Sequence, residues 1–286
     1  MESSIPKPKV LKGGRLRRGI YVLPSLFTVG TLVCGYFAIL STLRGSQMLA
    51  AGIGATLSLV AFDNAAKAIG WAVLFDGLDG RIARLTNSSS SFGREFDSLA
   101  DVITFGVAPA FLAYAWGVRA LGEVDGTQVV LHLRQIGWIA TFGFVICGAA
   151  RLARFNIDST KPASDRRYFV GLPIPASAGV VAALVHWWKD PVNVWVLGVV
   201  WLAVVAVLAF LMVSRVRYYS FKALDLRRRR PYVSIIIIGL IVWSIWAFSE
   251  PVLLTIALTY LLSGPIDRLI SRLRPPPPEP KEVHAA

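Results

Sequence analysis

Charged side chains are scarce in this chain of 286 residues. They make up 16% of the residues, whereas about 25% is usual in a soluble domain, and the mean hydropathy is +0.59. This composition excludes a water-soluble globular protein. Apolar runs recur from residue 20 to residue 263 without a soluble-looking block between them, so the sequence predicts one membrane-embedded domain.

Cysteine and histidine are also few, and their positions argue against two common kinds of site. Cys34 and Cys147 lie singly within apolar runs, so we expect neither a disulfide framework nor a thiolate metal site. The histidines, His132, His186 and His284, are scattered, and none shares an apolar run with an acidic cluster. A histidine-ligated zinc site is therefore not expected.

Eight apolar stretches approach or exceed the length of about 20 residues that a helix needs to cross a hydrocarbon core. We predict an all-α integral membrane protein with about eight transmembrane helices, the last of them short. The stretches are residues 20–43, 64–86, 92–118, 135–157, 172–188, 192–214, 231–248 and 251–263.

The formal charge of +13 would suggest a nucleic-acid partner in a soluble protein, but its distribution indicates a membrane topology instead. With eight spans both termini lie on one side, and all but five of the 30 lysine and arginine residues fall on that side. The five exceptions are Arg44, Lys67, Arg119, Arg134 and Lys189. Because cationic loops stay in the cytoplasm, we predict cytoplasmic termini and no nucleic-acid partner.

Three segments follow one another along the chain. Residues 1–19 are predicted to form a basic cytoplasmic segment, residues 20–267 the membrane domain, and residues 268–286 a cytoplasmic tail. The tail contains the run Pro275–Pro278, which cannot form a helix, so we predict that it is extended and disordered. The sequence offers no functional account of the stretch from 44 to 63.

Residues 75–101, FDGLDGRIARLTNSSSSFGREFDSLAD, concentrate acidic side chains where a membrane tolerates them poorly. On a helix each residue advances about 100°, so Asp76 and Asp79 lie within about 60° of each other, and Asp97 and Asp101 within about 40°. The connection between the two helices is short, so the helices must pack side by side. We therefore expect the four carboxylates to converge into one cluster just inside the cytoplasmic boundary.

Four neighbouring carboxylates need a cation, because like charges at such distances repel one another. Hard divalent ions with oxygen ligands, Mg²⁺ or Mn²⁺ and two per site, are the natural filling and are typical of phosphoryl chemistry. Gly80, Ala83 and Gly93 leave room beside the acids for a bulky ligand. Arg84 is placed to contact a phosphate oxygen.

The same residues resemble the signature of the CDP-alcohol phosphotransferase family, D-x2-D-G-x2-A-R-x8-G-x3-D-x3-D, and every specified position is met. The resemblance implies a membrane enzyme, usually a homodimer with a six-helix core, that moves a phosphate-linked alcohol from a cytidine diphosphate donor to a hydroxyl group and releases CMP. The implied metal ligands are Asp76, Asp79, Asp97 and Asp101, and Asp101 would also take the proton of the acceptor hydroxyl. The implied cytidine diphosphate pocket is lined by Gly80, Ala83, Arg84 and Gly93.

Flanking stretches resemble the bacterial phosphatidylserine synthase branch of that family, which uses CDP-diacylglycerol and L-serine. They are LPSLFTVG (23–30), SLADVITFGVAPA (98–110), ICGAARLARFN (146–156), GLPIPASAG (171–179) and VRYYSFKALDL (216–226). A serine site needs an arginine near the acids for the serine carboxylate. The candidates are Arg151 and Arg154, with Asn156 as a polar partner, although a topology-setting charge or a phosphate contact explains the two arginines equally well.

Two alternatives stay open. With the same chemistry, glycerol 3-phosphate or inositol could be the acceptor instead of serine. A protein of another class, an ion or metal transporter, would also place carboxylates in the membrane, but a transport site is expected near the midplane, whereas these acids lie at the ends of two spans. The branch resemblance also implies a bacterial inner membrane, with the active site facing the cytoplasm.

Overall fold

The computed structural model describes residues 14–52, 55–85, 91–119, 128–159, 168–219 and 231–273, and these are almost entirely helical. Each apolar stretch of the sequence falls on a helix, as predicted. The helices are α1 (Gly14–Ala50), α2 (Ala55–Leu85), α3 (Ser91–Asp101), α4 (Ala108–Gly117), α5 (Gln128–Ser159), α6 (Ile174–Trp188), α7 (Trp195–Val213), α8 (Pro231–Ala247) and α9 (Ser249–Leu273). Most of the predicted N-terminal segment and of the proline-rich tail lies outside the described residues.

Six segments of the described chain are long and apolar enough to cross a membrane, which confirms the prediction of an all-α integral membrane protein. They are Leu26–Ala50, Thr56–Ile82, Phe92–Gly117, Val130–Ile157, Trp195–Val213 and Ser249–Ser271. The other two predicted spans correspond to α6, with 15 residues, and α8, with 17. The last span, which was expected to be short, belongs to a 25-residue helix, because α9 continues through the polar residues after 263.

The bundle has a buried core and an apolar outer surface, as a protein surrounded by lipid requires. Phe62 on α2, Leu112 on α4 and Leu208 on α7 are fully buried. The outer faces carry exposed apolar side chains on every long helix, among them Phe210 and Trp246, which are 71% and 85% exposed. Lipid contact makes such exposure favourable, so the surface of the bundle agrees with the membrane assignment.

The third span is one continuous helix in which a π-helical turn, Val102–Val107, joins α3 to α4. The turn begins directly after Asp101, and the hydroxyl of Thr104 within it donates a hydrogen bond of 3.2 Å to the backbone carbonyl of Thr31 on α1. A Cβ at Gly35 would lie 2.5 Å from the Thr104 hydroxyl oxygen, so glycine is needed for this close approach. Single π turns are frequent at functional sites, and this one brings α1 beside Asp101.

Two short strands, β1 (Tyr168–Val170) and β2 (Arg217–Tyr219), pair antiparallel and add a minimal sheet to the predicted all-α fold. Gly171 follows β1 with a φ of 83°. A Cβ at that position would lie 2.3 Å from the backbone oxygen of Met212. Only glycine fits both the backbone conformation and the close approach, so Gly171 allows the end of β1 to pack against the end of α7.

Candidate active site

Three of the four predicted metal ligands lie together at one end of the bundle. One carboxylate oxygen from each of Asp76 on α2 and Asp97 and Asp101 on α3 lies within 4.8 Å of the other two. The spacing of four residues places Asp97 and Asp101 on the same face of α3, and that face meets Asp76. We refer to these three residues as the Asp group, and to this end of the bundle as the Asp end.

Asp79, the fourth predicted ligand, lies outside the Asp group. Its carboxylate accepts a hydrogen bond from the hydroxyl of Thr28 on α1, and the residue is only 6% exposed. The sequence predicted four converging carboxylates, whereas the structure gathers three and gives the fourth a partner on a neighbouring helix. Asp79 still lies within electrostatic range of Asp101, so it belongs to the same polar region.

Asp101 is the most enclosed member of the Asp group. The residue is 8% exposed, and its Oδ1 is buried without a hydrogen-bond partner among the described residues. The charges of Asp76, Asp97 and Arg151 all act on it. A buried polar atom left unpaired costs about 1–3 kcal/mol, and a divalent cation prefers oxygen ligands of this kind. The residues present therefore fit a divalent metal site.

Open space lies beside the Asp group along α2, where the family resemblance implies a cytidine diphosphate pocket. Apart from neighbouring residues and backbone of α2 itself, no described atom lies within 4 Å of the Cβ that a side chain would place at Gly77 or Gly80. Gly93 lies in the first turn of α3 and is half-buried. Ala83 and Arg84 lie in the last turn of α2, and their side chains fall outside the described part of the chain.

Arg151, the first of the two predicted acceptor arginines, faces the Asp group. The residue is 7% exposed, and its guanidinium lies over the ring of Phe155 at 5.4 Å from the ring centroid. The same guanidinium lies within electrostatic range of Asp101 and of Tyr260 on α9. The aromatic ring and the nearby carboxylates both stabilise this buried cation next to the Asp group.

Arg154 and Asn156 make contacts of a different kind. The guanidinium of Arg154 donates hydrogen bonds to the backbone carbonyls of Val170, at 2.8 Å, and Val213, at 3.3 Å. It therefore joins α5 to β1 and to the end of α7. The side chain of Asn156 donates to the hydroxyl of Ser98 at 2.9 Å, which places it against α3, one residue beyond Asp97.

Thr28 and Tyr260 are residues of this region that sequence reasoning missed. Thr28 binds Asp79, and Tyr260 lies near Arg151 with its ring centroid 5.7 Å from that of Tyr218. The signal in the sequence is weak, because each is one of several scattered polar residues in a largely apolar run. The partner that such a residue meets depends on how distant helices pack.

Known proteins resemble this chain over most of its length. A CDP-diacylglycerol–serine O-phosphatidyltransferase of Helicobacter pylori is 37% identical over 209 residues, which cover 71% of this chain and 74% of that protein. Proteins with the same name are 32% identical in Mycobacterium leprae, over 88% of this chain and 76% of that protein, and in Bacillus subtilis, over 70% and 91%. The profile of a family of membrane transferases matches residues 21–211, a range that contains the Asp group, and the chain belongs to that family, the CDP-alcohol phosphatidyltransferases.

Proposed function

We propose that the protein transfers the phosphatidyl group of CDP-diacylglycerol to the hydroxyl of L-serine, giving phosphatidylserine and CMP. The observation that carries this proposal is the Asp group, with its buried and unpartnered Oδ1 on Asp101 in the described chain. The names of the three relatives support serine as the acceptor.

The proposed reaction is a single displacement at phosphorus. The hydroxyl oxygen of serine attacks the phosphorus that carries diacylglycerol, a new P–O bond forms, and the P–O bond to CMP breaks with the electron pair leaving on CMP. Asp101 accepts the hydroxyl proton as general base. A carboxylate has two oxygens, so Asp101 can bind a metal ion through one of them and accept the proton at the other.

The metal ligands in this proposal are Asp76, Asp97 and Asp101, with Asp79 completing the set for two ions. Members of the family generally depend on divalent metal, and the Asp group fits this dependence. When bound, Mg²⁺ or Mn²⁺ would neutralise the diphosphate and stabilise the negative charge on the departing CMP.

Arg151 is the proposed binding residue for the carboxylate of serine. A guanidinium can pair with a carboxylate through two parallel hydrogen bonds, and Arg151 is buried on the Asp101 side of the site. Arg154 is proposed to hold α5, β1 and the end of α7 together, since its guanidinium donates hydrogen bonds to the carbonyls of Val170 and Val213. Asn156 is the proposed polar partner of Arg151 in the serine-binding part of the site. The nucleotide lies along Gly80, Ala83, Arg84 and Gly93.

We place the protein in a bacterial inner membrane, as a homodimer with the Asp end toward the cytoplasm. Six apolar helices support membrane integration, and the uneven distribution of lysine and arginine supports the orientation. A cytoplasmic site also agrees with the chemistry, because serine and the cytidine nucleotide are water-soluble and charged, whereas the two acyl chains stay in the bilayer.

The test uses the full chain in lipid vesicles supplied with CDP-diacylglycerol and Mg²⁺ or Mn²⁺. L-serine should release CMP and form phosphatidylserine, whereas glycerol 3-phosphate and inositol should not. Chelation of the metal should stop CMP release. Equal CMP release with another acceptor, or without serine, would overturn the choice of acceptor and leave the phosphotransfer standing.

Asp101→Asn tests the general base in the same assay. We expect kcat to fall at least about 100-fold, because a positioned base contributes about 10²–10⁴-fold. Glu95→Gln is the matched control, since Glu95 is an exposed carboxylate on the same helix and should keep full activity. Unchanged CMP formation by Asp101→Asn would remove the proposed general base and leave the phosphotransfer standing.

A further inference from the structure

A polar cavity of about 350 Å³ lies at the end of the bundle opposite the Asp end. It is bounded by the last turns of α1, by the end of α4 and by the start of α5. Its polar groups come from Ser46, Tyr114, Arg119 and Arg134. From Thr28, which binds Asp79, to Ser46 the helix α1 rises about 27 Å at 1.5 Å per residue. The cavity is therefore separate from the Asp group.

The cations of this cavity differ from two lysines at the same end. Lys67 and Lys189 each form an ion pair with a carboxylate. No ion pair joins Arg119 or Arg134 to any carboxylate in the described ranges, and the Nε of Arg134 is buried there without a hydrogen-bond partner. The Nη2 of Arg134 reaches only the carbonyl of Arg119, at 3.5 Å. Both arginines line the cavity, so an anion bound there would meet their guanidinium groups.

The cavity has the chemistry of a phosphate site. A buried donor without an acceptor costs about 1–3 kcal/mol, so an anion that accepts from Arg134 would be favoured. A guanidinium matches two oxygens of a phosphate group in one plane. The hydroxyls of Ser46, which is 5% exposed, and of Tyr114 add two more donors. No carboxylate occurs among the described residues that line the cavity.

An apolar groove adjoins the polar cavity. It has a volume of about 470 Å³ and shares Tyr114 and Arg134 with the cavity, while Gln135, Trp138 and Ile139 form its other side. Trp138 and Ile139 are 61% and 62% exposed on a membrane-spanning part of α5, so they face lipid. A cationic cavity that opens into an apolar groove at the membrane boundary matches a ligand with a phosphate and a hydrocarbon chain.

We propose that this site binds an anionic phospholipid, with its phosphate between Arg119 and Arg134 and one acyl chain along Trp138 and Ile139. Basic pockets between membrane helices bind lipid head groups through the same interactions. The proposal also gives a role to the end of α1, because Ser46 belongs to the stretch from 44 to 63 that carries no motif. The site is independent of the transferase reaction.

The test measures binding of dioctanoyl phosphatidylglycerol to the full chain in detergent by native mass spectrometry. Arg134→Gln and Arg119→Gln should each weaken binding at least about tenfold, the loss expected for one charge-assisted hydrogen bond. Arg44→Gln is the matched control, because Arg44 is an exposed cation of α1 at the same end that does not line the cavity, and it should bind like the unmodified protein. Circular dichroism establishes that each variant is helical.

Two further ligands separate the contributions of head group and chain. Inorganic phosphate and dioctanoylglycerol, which has the chains without the phosphate, should each bind at least about tenfold more weakly than the complete lipid. Inorganic phosphate that binds as tightly as the lipid would overturn the assignment of the groove. Dioctanoylglycerol that binds as tightly, or unchanged binding in both arginine variants, would overturn the phosphate site itself.

Discussion

At the scale of single residues, the hydroxyl of Thr28 holds one carboxylate oxygen of Asp79 in place. The hydrogen bond engages Oδ2 of Asp79, which leaves Oδ1 for a second partner, since a carboxylate has several acceptor positions. Groups that hydrogen-bond to a metal ligand orient it and raise its affinity for the ion. Thr28 thus acts as a positioning residue for Asp79 in the proposed two-metal site.

Thr28→Val tests this role, because valine keeps the shape of threonine and removes the donor. We expect the metal concentration that gives half-maximal CMP release to rise at least about tenfold, the usual effect of losing such a partner. The measurement is a titration of Mg²⁺ or Mn²⁺ in the vesicle assay. A loss of activity at all metal concentrations, without a shift of the midpoint, would contradict the positioning role.

Thr31→Val is the matched control for that experiment. Thr31 lies three residues along the same helix, is also buried, and donates its hydroxyl to the carbonyl of Phe27 in its own helix. It should leave the metal midpoint unchanged. Thr28→Ser, which restores the donor without the methyl group, should recover most of the metal affinity, and failure of this rescue would point to packing instead of hydrogen bonding.

The contact between Thr28 and Asp79 also shows how far single residues could be predicted. The Asp group follows from sequence because Asp97 and Asp101 share a helix face and the connection back to Asp76 is short. Asp79 could not be placed in this way. Its partner lies 51 positions earlier in the chain, and the rotation of α1 against α2 is set by many packing contacts at once.

At the scale of elements, α9 is attached to the bundle at its start and near its middle. At its start, Ser249 contacts the Nε2 of His186 at 3.0 Å, and His186 also contacts Asp63. Further along, the hydroxyl of Tyr218 donates to a backbone carbonyl of α9 at 3.3 Å, and burial raises the pKa of Tyr218 to about 12, so this donor stays neutral. A Cβ at Gly264 would lie 2.5 Å from the Tyr218 ring, which makes the contact close.

These contacts hold α9 so that Tyr260 lies near Arg151 of the active site. Tyr260→Phe keeps the ring against Tyr218 and removes the hydroxyl near the guanidinium. If that hydroxyl orients Arg151 toward the serine carboxylate, KM for serine should rise at least about tenfold with kcat nearly unchanged, since a hydrogen bond to a charged group contributes about 1.5–3 kcal/mol. Steady-state kinetics with varied serine measure both constants.

The control for this variant is Tyr36→Phe, because Tyr36 is 61% exposed on the outer surface of α1. It should leave both constants unchanged. An unchanged KM for serine in Tyr260→Phe, with the variant folded, would show that α9 takes no part in acceptor binding. A fall of kcat alone would point to a different step and would also count against the acceptor role.

The elements themselves were more predictable than their details. Long apolar runs specify membrane helices through length and composition, so all eight stretches could be located. The π turn after Asp101 could not, because a single glycine, Gly106, does not distinguish a π turn from an α-helix, and the close approach of Gly35 to Thr104 exists only in the folded chain. The pairing of β1 with β2 depends likewise on Gly171 and Arg154, which meet only in the folded chain.

The whole molecule has two chemically distinct ends. The Asp end carries the Asp group and the contact of Arg154 with the end of α7. The opposite end carries the polar cavity, the hydrogen bond of Trp116 to the backbone carbonyl of Lys189 at 3.2 Å, and the ion pair of Lys189 with Glu250. The hydrogen bond to Glu250 raises the pKa of Lys189, so this cation stays charged at neutral pH and is neutralised by its partner.

This polarity yields a prediction for the orientation of the molecule in the membrane. Asp190, after α6, and Arg215, after α7, are exposed and lie at opposite ends. In a chain whose Cys34 and Cys147 are replaced by alanine, we expect Asp190→Cys to react with a membrane-impermeant maleimide in spheroplasts. Arg215→Cys should react only after the membrane is opened.

The expectation rests on the cost of moving cationic loops across the membrane. Arg215 belongs to the face to which the sequence prediction assigns all but five of the lysine and arginine residues, and the positive-inside rule predicts that this face is cytoplasmic. Labelling of Arg215→Cys in sealed spheroplasts would show that the orientation is the opposite of the one we propose. The Asp group would then face away from the cytoplasm, and a supply of CDP-diacylglycerol and serine from that compartment could no longer reach it.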